Sequence, residues 1–264
     1  TNSVAPKTGN ISAGTSIFSM IVLDKSLKNI YPEVDIVTTP DGYEVAMIHA
    51  NNCTSDINAW VDLFGEVLEV MGVKYEKSEL FTKLFETALN GDDKLGKLLS
   101  YGYISGEFIT EVQQGYPMLV RSIDSSFNLA NLMKTHIYSA FSTLKIGIDL
   151  LKENEDIEIH SIYGHGGIFK TKKVAQTFLA AAMQSPVSVM QTASEGGAWG
   201  IAVLARYLVA ENDVNLSSYL NEIAFKDTES IKIEPNEKEI ESFNRYIERF
   251  KKGLPIERLA NEQL

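Results

Sequence analysis

The sequence predicts an α/β domain built on a mixed sheet, antiparallel at its start and parallel later. Three observations carry that expectation. Two β-hairpin patterns open the chain, amphipathic helices follow, and residues 157–208 then read as strand, glycine-rich turn, helix, strand and a second glycine-rich helix start. Hairpins pair strands antiparallel, whereas strand-helix-strand crossovers pair them parallel, so a purely parallel doubly wound sheet would not begin this way.

Residues 1–9 contain Pro6 and Gly9 and show no periodicity, and read as a connecting segment; residues 10–264 read as the domain. Asn10-Ile11-Ser12-Ala13 enters a tight bend of small residues, Gly14-Thr15-Ser16, from which residues 17–23 return as a strand. Residues 35–39 and 43–49 flank Pro40-Asp41-Gly42, where proline presets φ and glycine accepts a positive one. A helix starts at Thr54 or Ser55, carries Ile57, Trp60, Val61, Phe64 and Leu68 at helical spacing, and stops at Gly72. Residues 78–89 form a second amphipathic helix, and residues 91–127 read as loop with short extended pieces. The longest helical pattern covers residues 125–151, with Leu129, Leu132, Met133, Ile137, Ala140, Phe141, Leu144 and Ile148 on a broad apolar face.

Residues 157–163 alternate with period two and break at Gly164-His165-Gly166-Gly167, so a strand is expected to end there and a helix to begin at Phe169 and run to Ser185-Pro186. Residues 186–190 form a short strand, and Glu195-Gly196-Gly197-Ala198-Trp199-Gly200 opens a helix running to Leu208. Residues 214–225 are helical, 232–235 extended, and 237–250 an acidic-then-basic helix, the polarity that the helix dipole favours. A glycine turn feeding a helix start brings backbone N–H groups and the dipole within reach of an anion, and phosphate is the obvious guest. Glycine at such turns also serves close packing, so the motif alone does not decide.

With 44% hydrophobic and 22% charged residues, the 264-residue chain has the composition of an ordinary soluble globular protein. No apolar run is long enough to cross a bilayer, and residues 1–16 lack the basic start and hydrophobic block of a signal peptide. The single cysteine, Cys53, excludes an internal disulfide framework and fits a reducing cytoplasm. A net charge of −11 argues against a nucleic-acid or anionic-membrane partner. Attraction for a nucleotide would then come from local sources: turn amides, helix starts, a lysine such as Lys170, and a divalent metal.

The order of Gly14-Thr15-Ser16 after a strand, residues 55–60 at a helix start, Ser105-Gly106-Glu107, Gly166-Gly167, and Glu195 through Gly200 resembles the C-terminal half of the FGGY carbohydrate kinases. The resemblance runs from Asn10 to about Phe250 and is nearest to the xylulokinase-like and ribulokinase-like members. It implies an actin-like, ribonuclease-H-like ATPase domain that closes with a second domain around ATP, Mg²⁺ and a sugar, in the cytoplasm, and it allows a homodimer. By the same resemblance Gly14, Thr15 and Ser16 face the nucleotide phosphates, and Gly166 and Gly167 approach the α-phosphate and adenosine. Thr171 lies near the adenine, and Ser55 and Asn58 line the opposite wall. Independently of the resemblance, Lys170 is expected to reach a phosphate, although a first-turn lysine opposes the helix dipole. The family's N-terminal domain, with its Asp-Gly-Thr phosphate loop, sugar pocket and catalytic aspartate, has no counterpart in these residues, so no catalytic residue is assigned and the chain alone is expected to be inactive. Ile168-Phe169 and Trp199 depart from the family pattern.

The remaining polar residues take structural readings. His165 is expected in the turn, facing solvent or the adenosine edge, and Glu107 is expected to hold its loop by accepting backbone N–H groups. Asp56 and Asp62 read as a solvated or capping pair, and His49, His136, His160 and Cys53 do not combine into a metal site. The leading function is transfer of the ATP γ-phosphoryl group to a sugar hydroxyl, of a ketose such as a pentulose; the alternative is a non-catalytic nucleotide-binding module. A Rossmann-type oxidoreductase lacks the required glycine spacing and acidic ribose ligand.

Overall fold

The computed structural model describes residues 3–190, 196–210 and 214–264. In chain order its elements are strands β1 (Thr8–Ala13), β2 (Ile17–Val22), β3 (Val34–Thr38) and β4 (Glu44–Ala50), helices α1 (Ser55–Val70) and α2 (Lys77–Ala88), and strands β5 (Leu98–Tyr101) and β6 (Met118–Arg121). Helix α3 (Leu129–Glu155), β7 (Ser161–His165), α4 (Val174–Met183), β8 (Val187–Met190) and α5 (Gly196–Val209) follow. The chain ends with the short α6 (Leu216–Tyr219), strand β9 (Ser230–Ile233) and α7 (Glu237–Gln263).

The main sheet has the order β3-β4-β2-β1-β7-β8-β9. β1 is where its two halves meet: it pairs antiparallel with β2, which pairs antiparallel with β4, and parallel with β7, which pairs parallel with β8. β9 adds an antiparallel edge. The mixed sheet expected from the sequence is therefore present, and β5-β6 form a separate two-stranded sheet.

Period-two alternation decides what each face meets. Ile11, Ala13, Ile17, Ile21, Ala46, Ile48 and Ala50 are buried in the main core, under α3 and its neighbours. Asn10, Met20, Val22 and Val45 point the other way, toward α5. Helix α3 is buried all round from Asn131 to Lys145, and full burial of Phe141 or Leu144 contributes about 2–3 kcal/mol each. Its polar residues are paired rather than exposed: Lys134 bonds Glu239 at 2.7 Å, Ser139 donates to the Ser100 carbonyl at 2.8 Å, and Thr143 meets the Tyr103 hydroxyl at 2.7 Å.

Several boundaries differ from expectation for physical reasons. β1 starts at Thr8, inside the expected connecting segment, because the Lys7 N–H already joins the Val22 carbonyl and β7 lies alongside. β7 starts at Ser161 and runs through Gly164 and His165, which pair with Ile11 and Ser12, so the turn begins at Gly166. Gly164 is a strand glycine because the Phe169 ring covers it. Helix α4 begins at Val174 rather than Phe169: Gly167–Lys170 form a 3-10 turn, and left-handed Lys173 (φ 72°) separates it from the helix. The glycine turn therefore does not feed the helix dipole directly. α3 starts at Leu129 rather than Ser125, with the Asn128 side chain accepting the Asn131 N–H as its cap. α7 continues to Gln263 through Pro255; Glu257 accepts the Tyr116 N–H at 2.7 Å and the Arg258 guanidinium donates to the Thr110 carbonyl, so tertiary contacts hold the turn beyond the proline. Glu195 lies outside the described residues. Among the described residues no helix is long and apolar enough to cross a membrane.

Candidate functional site

The β1-β2 bend is closed by the Gly14 N–H, which donates to the Ser16 carbonyl at 2.9 Å, with Thr15 exposed at its tip. The start of α1 is laced to this bend. The N–H and hydroxyl of Thr54 both donate to the Gly14 carbonyl, at 3.2 and 2.7 Å, and the Cys53 N–H donates to the Thr15 carbonyl at 3.0 Å. Because the Thr54 hydroxyl is turned to Gly14, no side chain caps α1, and its first-turn amides remain available to an acceptor outside the helix. The parallel register of β1 with β7 then sets Gly166 against Ala13, at φ 110°, and Gly167 follows, exposed and with open space at its Cα. Three bends far apart in sequence thus form one rim, joined through Gly14 and Ala13.

Beside the rim lies a cleft of about 380 Å³ between α1, α2 and the 3-10 turn. Asn58 enters from α1, Lys77, Ser78 and Phe81 from α2, and Gly167 and Lys170 from the turn. Phe81 supplies apolar surface for a planar ring, and the polar side chains can fix its orientation. Lys77 is held by Asp62 at 2.5 Å, whereas Lys170 is exposed and has no acidic or hydrogen-bond partner among the described residues. Thr171 is 3% exposed and its hydroxyl has no partner, a buried donor next to the cleft wall. Of the residues expected at the site, Asn58, Gly167 and Lys170 line the cleft, Gly14, Thr15, Ser16 and Ser55 belong to the rim, and Gly166 is the pivot between them. Thr54 and the α2 residues were not legible as site residues, since α2 carries no motif beyond its amphipathic spacing.

A family model described as the C-terminal domain of the FGGY family of carbohydrate kinases matches residues 9–209. The chain belongs to the FGGY family of carbohydrate kinases. No curated protein matches it. Solved structures similar to it include xylulose kinase from Rhodospirillum rubrum, with 13% identity, a TM-score of 0.72, and 97% of this chain and 48% of that one covered. Gluconate kinase from Lactobacillus acidophilus shares 16% identity with a TM-score of 0.72 over 95% of this chain and 47% of that one. Plasmodium falciparum glycerol kinase, solved with ADP, shares 13% identity with a TM-score of 0.67 over 94% and 48%. The chain spans about half the length of these structures, and the likeness is one of fold: the actin-like ATPase arrangement of a mixed sheet with flanking helices.

In this FGGY domain the Ser105-Gly106-Glu107 loop is stapled to the approach to α1. The Asn52 side-chain oxygen accepts the Ile104 and Ser105 N–H groups, both at 2.9 Å, and its amide donates to the Ser105 carbonyl and to Glu107 Oε2, each at 3.1 Å. Glu107 Oε2 also accepts the Asn52 N–H at 3.2 Å, which is the loop-holding role expected of it. Its other oxygen is buried without a partner, and desolvation pushes the carboxyl up to about 7 despite the Asn52 and Asn51 donors. This staple fixes the residues immediately before Thr54.

Other expectations are corrected. His165 is a strand residue, half-buried, with Nε2 2.9 Å from Asn10 Oδ1, and burial lowers its pKa; it lines a separate cavity of about 350 Å³ beneath α5 and not the turn. Asp56 is not solvated: it is 7% exposed and 3.2 Å from His136 Nδ1, an interior pair between α1 and α3, while Asp62 holds Lys77. Cys53 is buried and its thiol is pushed up to about 12, so it is chemically inert. Among the described residues no group of three His, Cys, Asp or Glu side chains could hold a metal ion.

Proposed function

We propose that this chain is the ATP-binding half of a carbohydrate kinase. The observation that carries the reading is the union of the Gly14-Thr15-Ser16 bend, the uncapped α1 start and the Gly166-Gly167 turn on one rim beside the cleft. The cleft suits adenosine, with Phe81 against the base and Asn58 as a polar contact. The rim suits the phosphates, through hydroxyls of Thr15, Ser16 and Ser55 and through main-chain donors at the uncapped start of α1 and at Gly167. Lys170 supplies positive charge where the whole-chain charge of −11 opposes the ligand. Mg²⁺ enters with ATP, held by phosphates and water rather than by a protein cage, which is how this ion is commonly bound. ATP supplies the transferable phosphoryl group; this chain's residues bind and orient it.

The family membership supports a sugar or polyol hydroxyl as acceptor, and the xylulose kinase likeness favours a ketose such as a pentulose. A second domain brings the acceptor and the base, and this chain by itself binds ATP without sugar-dependent turnover. Titration of the chain with Mg-ATP is expected to shift the amide signals of Thr15, Ser16, Asn58 and Gly167 together. Lys170→Ala is expected to weaken the affinity about ten-fold, equivalent to about 1.4 kcal/mol. Unshifted amides at saturating ATP would remove the site; an unchanged affinity in the variant would return Lys170 to the surface. The chemistry is tested separately, by supplying the N-terminal half of an FGGY xylulose kinase and measuring xylulose-dependent ADP release. Binding without any such release, with a range of pentuloses and polyols, would leave a nucleotide-binding module.

A further inference from the structure

A cavity of about 440 Å³ that shares no lining residue with the cleft opens between α7, the turn at Leu95–Lys97 and residues 122–124. Ser242, Arg245, Tyr246 and Arg249 recur along α7 at three- and four-residue spacing, so one helix face lines it. Lys94 and Lys97 face them from the turn. Against these four cations stand three carboxylates: Asp93, which holds Arg245 at 2.9 Å, Glu241 on α7, 3.7 Å from the same guanidinium, and Asp124, which holds Lys97. Lys94 and Arg249 have no carboxylate partner among the described residues, and the cluster keeps a local surplus of one positive charge in a chain of net charge −11.

The two guanidiniums are positioned in advance. Arg249 donates to the Lys97 carbonyl at 2.9 Å, and Arg245 donates to both the carbonyl and the carboxylate of Asp93, at 3.2 and 2.9 Å. Side chains already ordered lose little entropy on taking an anion, and a guanidinium offers further N–H donors in a fixed fork. The cavity's inner wall is the nearly fully buried Leu95 and Tyr246, and the Tyr246 hydroxyl is engaged by the Ser100 carbonyl at 3.1 Å. The Asp93 and Asp124 carboxylates and the Ser122 hydroxyl stand beside the cations as acceptors for ligand hydroxyls.

We propose that this cavity is a second ligand site, for a phosphomonoester of a polyhydroxylated small molecule, with the phosphate on Lys94 and Arg249 and the ligand's hydroxyls donating to Asp93 and Asp124. The site shares no residue with the cleft assigned to ATP, and the inference does not depend on that assignment. The 264-residue chain is titrated with glycerol 3-phosphate, with inorganic phosphate and with glycerol, following the amide signals of residues 93–97, 122–124 and 242–249. Glycerol 3-phosphate is expected to shift them and to bind more tightly than inorganic phosphate, and glycerol to do nothing. Lys94→Glu, a change on an exposed side chain, is expected to weaken glycerol 3-phosphate at least about ten-fold. Lys170→Ala serves as the control for phosphate taken up at the ATP cleft, and is expected to leave these signals unaltered. Arg249→Gln, which keeps a donor for the Lys97 carbonyl, is expected to weaken binding in the same way. Silent amides, binding untouched by Lys94→Glu, or inorganic phosphate binding as tightly as the ester would each overturn the proposal.

Discussion

Gly166→Ala is expected to destabilise the chain by about 3 kcal/mol or more, whereas Gly167→Ala, one residue on, is expected to cost less than about 1 kcal/mol. Gly166 sits at φ 110° and ψ 174°, a region that only glycine occupies without strain. An added Cβ would also collide with the Ala13 carbonyl oxygen and lie 2.8 Å from the Ala13 carbonyl carbon, and both are main-chain atoms in the middle strand of the sheet. Nothing flexible can move aside. Either the turn lifts away from β1 or β1 shifts, and the rim opens between Ala13 and Gly166. A loss of that size is a large fraction of the roughly 5–15 kcal/mol that holds a domain folded. At Gly167 a Cβ meets nothing within 4 Å and the backbone is not left-handed, so alanine is accommodated. Urea unfolding of the two variants beside the parent measures the contrast. Equal midpoints for Gly166→Ala and Gly167→Ala would mean that the turn does not rest on β1. ATP titration of Gly166→Ala, under conditions where it remains folded, is expected to show weakened binding because the two bends no longer share one edge.

That contrast marks what a sequence can convey about such a site. Gly164, Gly166 and Gly167 look alike in a glycine-rich run, yet each has a different cause. Gly164 makes room for the Phe169 ring, Gly166 is forced by the Ala13 carbonyl, and Gly167 is open to the cleft. The causes are contacts with residues distant or hidden in sequence, and only the register of β1 with β7 reveals them. The hairpins, by contrast, were legible because their signals are local: turn chemistry at Pro40-Asp41-Gly42 and alternation on either side of it. Residues 91–127 read only as loop because their order is tertiary. β5 packs on α3 and α7, and residues 104–107 hang from the Asn52 side chain. The reach of α7 past Phe250 was hidden for the same reason, since Pro255 argues locally for an end and Glu257 and Arg258 argue, through distant partners, for continuation. The lower wall of the cleft, on α2, followed from no motif because a nucleoside-sized groove needs only suitable surface there, and suitable surface has no sequence signature.

The Glu107 staple makes stability depend on pH around neutrality, with a sign opposite to that of an ordinary salt-bridged carboxylate. Glu107 is 1% exposed; burial raises its pKa from 4.5 in the unfolded chain to about 7 in the folded one, more than its Asn52 and Asn51 donors lower it. Between those values the folded state binds more protons than the unfolded state, so its contribution is fully present below 4.5 and is lost as pH rises through about 7. At about 1.4 kcal/mol for each pKa unit, the loss is about 3 kcal/mol. Glu257, also fully buried and raised to about 7 by desolvation, acts in the same direction from the α7 side. Glu155 works oppositely at lower pH. Its carboxylate accepts the Lys28 N–H at 2.9 Å, the Tyr31 hydroxyl and the Asn29 groups, which hold it down near 2, so its stabilisation is lost as pH falls below the usual carboxylate range. The chain is therefore expected to be more stable at pH 5 than at pH 8. Glu107→Gln keeps an oxygen for the two Asn52 donors and removes the titration, so its unfolding midpoint is expected to exceed the parent's at pH 8 and to fall less steeply between the two. Parallel curves for parent and variant across that window would show that Glu107 stays ionised in its loop. The site would feel the change through Asn52, two residues before Thr54: weaker ATP binding by the parent at pH 8 than at pH 6, with the difference reduced in Glu107→Gln, is the result expected if the staple holds the rim in place.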